Sequence, residues 1–92
     1  IERAGRVFSP HTWGSGVALL ANAHVAAGTV GTPFLEYPHD PPHWHAAIRD
    51  FLLTDPVGID ANGMIDLGDG PGLGVDLDEE ALAATETGRA QY

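Results

Sequence analysis

Three side chains stand where chemistry could use them: His11, Trp13 and Glu36. His11 follows the apolar pair Val7-Phe8 and Pro10, and it precedes the glycine-containing turn Thr12-Trp13-Gly14-Ser15-Gly16. A strand that stops at such a turn and continues as a helix is half of a βα unit. Folds built from these units bind ligands at the carboxyl ends of their strands. An imidazole there has the proton affinity best suited to transfer near neutrality. The plainer reading of His11 is a turn histidine bonded to a nearby carbonyl. Glu36 lies among Phe34, Leu35 and Tyr37, and a carboxylate in an apolar run needs a partner or a function. Its plainer role is a salt bridge to an upstream lysine or arginine. Trp13 can line a substrate pocket or simply pack.

The remaining polar clusters are weaker candidates. His39, Asp40, His43 and His45 share a loop stiffened by Pro41-Pro42. They could capture a transition metal adventitiously, but nothing completes a four-ligand structural zinc set, so histidines at a site rim are the expected role. His24 falls on an apolar helix and reads as a satisfied core histidine. Residues 68–74 are glycine-rich, but no Lys-Ser/Thr follows and no strand runs through them into a helix. They read as a turn rather than a phosphate loop.

The elements that must position these residues follow from local signals. Residues 6–9 read as a strand, because Val7 and Phe8 favour extended structure and Pro10 forces Ser9 to be extended. Residues 17–27 predict a helix with Ser15 as N-cap and Gly28 as stop. It is apolar almost all round, so it requires packing on more than one side. Residues 33–38 predict a second short strand bounded by prolines, and the spacing suits a right-handed parallel crossover. Residues 46–53 suggest a short helix with Ile48, Phe51 and Leu52 on one face. Asn62-Gly63 between alternating apolar positions predicts a type I′ hairpin. Asp78-Glu79-Glu80 predicts a helix start with an N-cap and favourable first-turn acids, with the helix running to about Glu86. Gly5 predicts the end of a short helical tail.

Composition narrows the class. The 92 residues carry 13 acidic and 4 basic side chains, a net charge of −9. That balance argues against nucleic-acid and anionic-membrane binding, which require a basic face. The chain has no cysteine, which excludes disulfides and thiol nucleophiles and fits a reducing, cytoplasmic setting. No apolar run approaches the ~18–20 residues of a membrane span. The opening Ile1-Glu2-Arg3-Ala4 is neither a signal peptide nor an initiator Met, which suggests a fragment or a processed terminus. The one plausible boundary, near Asp55-Pro56, divides the chain into residues 1–55 and 56–92.

Taken in order, Ser9-Pro10-His11-Thr12-Trp13, Phe34-Leu35-Glu36 and the run Gly70-Pro71-Gly72-Leu73-Gly74-Val75-Asp76-Leu77-Asp78 resemble the C-terminal portion of the mandelate racemase and muconate lactonising group of the enolase superfamily. The resemblance implies an α/β fold: the C-terminal fragment of a (β/α)₇β TIM-type barrel, contributing its last two strands and a helix. Residues 1–55 would be that βαβ portion. Residues 56–92 would be a hairpin, turn and helix returning to the capping domain. Members of that superfamily use a Lys or His base with Mg²⁺ stabilising an enediolate. By resemblance His11 would be the general base or acid at the end of the seventh strand. Glu36 would be the eighth-strand glutamate, donating a hydrogen bond to the developing oxyanion when protonated, and Trp13 a substrate contact. The family's carboxylate Mg²⁺ ligands lie on the third to fifth strands, and its His-orienting aspartate lies on the sixth. Its lysine-bearing second strand and N-terminal capping loops are also upstream, and none of these positions occurs in this chain.

The resemblance therefore implies a Mg²⁺-dependent parent enzyme abstracting a proton α to a carboxylate. Acid-sugar dehydration comes first, with racemisation or epimerisation of a 2-hydroxy acid next. Cycloisomerisation ranks lower because that subgroup relies on lysines. The expected partners are a small carboxylate substrate, the rest of the barrel and cap, and further copies in a homo-oligomer. The isolated chain is expected to be inactive. A different class of reading makes it a non-catalytic assembly piece, with apolar surface on residues 17–27 driving self-association.

Overall fold

The computed structural model describes residues 1–88. Its longest element is helix α1, Gly16–Ala27. Ser15 Oγ caps it by accepting from the Ala18 N–H at 3.5 Å. Gly28, whose N–H bonds back to His24 O and Ala26 O, ends it. Two shorter helices follow, α2 at Ala46–Arg49 and α3 at Glu79–Thr85. Asp78 caps α3 by accepting from the Ala81 N–H at 2.9 Å. A 3₁₀ turn at Glu2–Ala4 ends at Gly5, whose φ of 59° is the left-handed conformation that favours glycine.

Neither expected strand forms among the described residues. Residues 6–9 and 33–38 are irregular, and the hydrogen bonds joining their neighbourhood use side chains: Ser9 Oγ to Phe34 O at 3.2 Å, and the Thr12 N–H to Glu36 Oε2 at 2.8 Å. Parallel strands persist when both faces and both neighbours are covered. Here Val7 and Phe34 stand 70% and 76% exposed. Among the described residues the β-bridges are two isolated antiparallel ones, Asp40 with Trp44 and Leu53 with Leu77.

Two further expectations are corrected. α2 stops at Arg49, and the face predicted for it is not its buried one: Ile48 and Phe51 are exposed, whereas Arg49 and Asp50 are buried. The turn at Asn62-Gly63 forms, but not as type I′, which needs positive φ at both central residues. Gly63 has φ +79°, and no non-glycine residue among the described residues, Asn62 included, is positive. Asp60 N–H donates to Met64 O at 2.9 Å across a three-residue loop. Asp60 Oδ1 accepts from the Asn62 and Met64 N–H groups, each at 2.8 Å. A carboxylate that captures two local amides selects this Asx-type turn over the tighter hairpin.

The core is small. Leu19, Leu20, Leu53 and Val57 form it, and Val17, Leu35, Tyr37, Ile65, Leu67 and Leu73 pack against it. Beside it lies a buried ion pair. Arg49 Nη2 meets Asp50 Oδ2 at 2.6 Å and Nε meets Oδ1 at 2.7 Å. The same guanidinium donates to Pro38 O, Tyr37 Oη and Val57 O, and Asp50 Oδ2 accepts from the Val57 N–H. The Tyr37 ring covers it from 4.2 Å. Gly16 is glycine because a Cβ there would overlap Asp50 Oδ1 and come within 2.7 Å of Leu53 Cδ1.

The chain spreads more than its size requires. Its radius of gyration is 15.0 Å, against about 12 Å for a compact domain of this length. It exposes 6806 Å², against about 5,100 Å² for a folded monomer of its mass. α1 accounts for part of this: Leu19, Leu20 and Ala23 are buried, but Val25 is 55% exposed.

Two outcomes are expected. Arg49→Met, by stranding the buried Asp50 carboxylate, should destabilise the fold by about 3–5 kcal/mol in denaturant unfolding, and a loss under about 1 kcal/mol would contradict this. The Met64 and Asn62 amides hold the Asp60 carboxyl below the ordinary carboxylate range. The turn's stability is therefore complete above the ordinary value and is lost only as pH falls through the lowered one. Amide protection at Asn62 and Met64 should persist at about pH 4 and vanish at any pH in Asp60→Ala.

Candidate functional site

His11 and Glu36 come together although 24 residues separate Thr12 from Glu36. His11 Nδ1 lies 2.5 Å from Glu36 Oε2. The same oxygen accepts from the Thr12 N–H, so one carboxylate fixes both the imidazole and the backbone beside it. The His11 side chain is 79% exposed and that of Glu36 36%. With Nδ1 engaged by a carboxylate, the ring carries its proton there and leaves Nε2 as the free proton acceptor. A histidine held by a carboxylate in this way can take up and return a proton.

Local sequence explains the placement. Pro10 is buried, and it delivers His11 to the surface just as the chain turns toward the Ser15 cap of α1. Glu36 sits one residue before Tyr37, and the Tyr37 hydroxyl donates to Val57 O at 2.7 Å while accepting from Arg49 Nη2 at 3.0 Å.

Trp13 is 53% exposed and stacks on Trp44, with centroids 6.4 Å apart and planes inclined by 26°. The Asp40–Trp44 bridge holds Trp44, with Asp40 N–H to Trp44 O at 2.6 Å and Trp44 N–H to Asp40 O at 2.8 Å. An indole wall thus stands on the loop that follows Glu36. The loop histidines do not gather. Among the described residues no group of three or more His, Asp or Glu could hold a metal ion. His24 Nε2 lies 3.3 Å from Leu73 O and ties α1 to the glycine-rich turn.

Mg²⁺, which the resemblance implies, finds no fit among these residues. Glu36 is the carboxylate beside His11, and its Oε2 is already shared by the imidazole and an amide. A hard divalent cation takes several oxygen ligands at once. A groove of about 350 Å³ lies elsewhere, lined by Ala23, Phe34, Leu35, Met64 and Ile65.

Sequence reasoning missed Arg49 and Asp50. Their signal was an adjacent arginine and aspartate inside the otherwise apolar run from Ala46 to Leu53, a setting in which charges are seldom buried unless paired.

The family model for the enolase C-terminal domain-like family matches residues 1–81, and the chain belongs to that family. It is similar to a D-galactarolactone cycloisomerase of Agrobacterium fabrum, with 32% identity over 77 residues, covering 79% of this chain and 20% of the relative. The chain thus spans about a fifth of that relative's length. No solved structure matches it significantly. Among the described residues no helix is long and apolar enough to cross a membrane.

One structural outcome follows for the site. Thr12 is buried, so Glu36→Ala leaves its N–H without an acceptor and should cost about 1–3 kcal/mol. Glu36→Gln keeps a carbonyl there and should recover most of that loss. Equal unfolding midpoints for Glu36→Ala and wild type would contradict the bond.

Proposed function

We propose that this chain is the His-bearing part of an enolase-superfamily enzyme that removes a proton α to the carboxyl group of an acid sugar. His11 Nε2 takes the proton from the substrate carbon, and the electron pair left behind delocalises onto the carboxyl group. Elimination of a β-oxygen then completes the reaction. The observation that carries this reading is the 2.5 Å contact between His11 Nδ1 and Glu36 Oε2, which orients an exposed imidazole as a base. It favours an orienting role for Glu36 over donation to the oxyanion.

Dehydration of an acid sugar is the first reading, in which the β-hydroxyl leaves as water with the proton taken up by His11, and the enol left behind ketonises. The second is opening of an acid-sugar lactone, in which the ring carboxylate leaves. The relationship to a D-galactarolactone cycloisomerase favours that second reading. Both begin with the same proton transfer. The Mg²⁺ ligands, the rest of the barrel and cap, and further copies of the protein are proposed partners outside this chain. Exposed Val7, Val30, Phe34 and Met64 supply apolar surface for such contacts. Trp13 and Trp44 would then wall the substrate side of His11.

The test is steady-state turnover of the intact protein on D-galactarolactone and on its hydrolysed diacid. His11→Asn should abolish turnover on whichever is processed while leaving Mg²⁺ binding unchanged by calorimetry. Glu36→Gln, which removes the carboxylate that orients His11, should lower kcat by about 10²-fold or more. Normal turnover by His11→Asn would refute the assignment of the base.

A further inference from the structure

We infer that the buried Arg49–Asp50 ion pair is a positioning device that sets His11 against Glu36. This rests on the reading of those two residues as the acid–base site.

The two segments that carry the site have no shared backbone ladder to align them. Each instead runs directly onto the ion pair. One residue after Glu36, the Tyr37 hydroxyl accepts from Arg49 Nη2, and Pro38 O accepts from Nη1, both at 3.0 Å. Tyr37 also lays its ring on the guanidinium, 4.2 Å from the centroid. On the other side, the chain leaving His11 enters α1 at Gly16, whose Cα faces the Asp50 carboxylate so closely that no Cβ fits between them. Asp50 in turn holds Arg49 bidentately, which fixes the guanidinium plane. Arg49 is 1% exposed and Asp50 4%, so little freedom remains in the linkage.

Burial alone would lower the affinity of Arg49 for its proton. Hydrogen bonds that Arg49 donates to Asp50 and Tyr37, with the charge of Asp50, outweigh burial and raise it instead, so the cation is permanent at any working pH. A permanent, planar, fully bonded cation is suited to hold position rather than to exchange protons. Neither member of the pair touches the site. They act through Tyr37, Pro38 and Gly16.

The test uses Arg49→Lys, which keeps the charge but loses the fork, and Tyr37→Phe, which removes the hydroxyl between Arg49 and Val57 O. Hydrogen–deuterium exchange of the intact protein reports the Thr12 amide, which is bonded to Glu36, and the α1 amides as a fold control. Both variants should lose protection at Thr12 while α1 keeps it, and kcat on D-galactarolactone or its diacid should fall by about 10²-fold with KM little changed. If Arg49→Lys does not fold, Tyr37→Phe decides. Wild-type protection at Thr12, or loss only in step with α1, overturns the inference. So does wild-type kcat in a protein where Glu36→Gln is impaired. If instead Glu36→Gln turns over normally, the catalytic reading of Glu36 fails, while selective loss at Thr12 still establishes the positioning.

Discussion

Arg49 and Asp50 are neighbours in sequence, and their side chains fold back on each other inside the protein rather than pointing to water. Burying two charges is expensive, and attraction between them offsets the cost only where every remaining donor and acceptor is used. Here they are used: Pro38 O, Tyr37 Oη, Val57 O and the Val57 N–H complete the set. The demand works in reverse as well. Each of those groups must stay where it is, so the strand-like segment after Glu36, the start of α1 and the chain at Val57 are held to one another without a sheet.

The candidate site follows from that constraint. Its residues lie on irregular, unpaired segments, an arrangement that leaves loops free to carry chemistry while a rigid support sets their distance. The apolar core of α1 lies on the inner side of the same support, with Leu53 beside Gly16 and Val57 beside Arg49. Val7 and Phe34 stand exposed because the segments that carry them pair with no neighbouring strand.

Local signals were readable in the sequence, and non-local ones were not. Ser15 before α1, Gly28 after it and Asp78 before α3 cap as expected, because a cap depends on residues three or four positions away. The turn at Asn62-Gly63 was located but mistyped, since the deciding group was the Asp60 side chain two residues earlier rather than the dipeptide. Residues 6–9 and 33–38 have strand propensity, but strand formation depends on partners that propensity cannot supply. Spacing put His11 and Glu36 near the ends of successive segments, but the contact between them was not foreseen, because it depends on how the two segments meet. Arg49-Asp50 resembled an ordinary charged surface pair, and only the apolar stretch around it hinted at burial.

The measurement that tests the central claim most directly is exchange of the substrate's α-proton with solvent deuterium. It would be followed by NMR for the intact protein and for His11→Asn, with D-galactarolactone and its diacid as probes. It reads the proton transfer itself, whichever elimination follows. The expected result is deuterium appearing at the carbon next to the carboxyl group with wild type and none with His11→Asn. Exchange at the wild-type rate in His11→Asn would contradict His11 as the base.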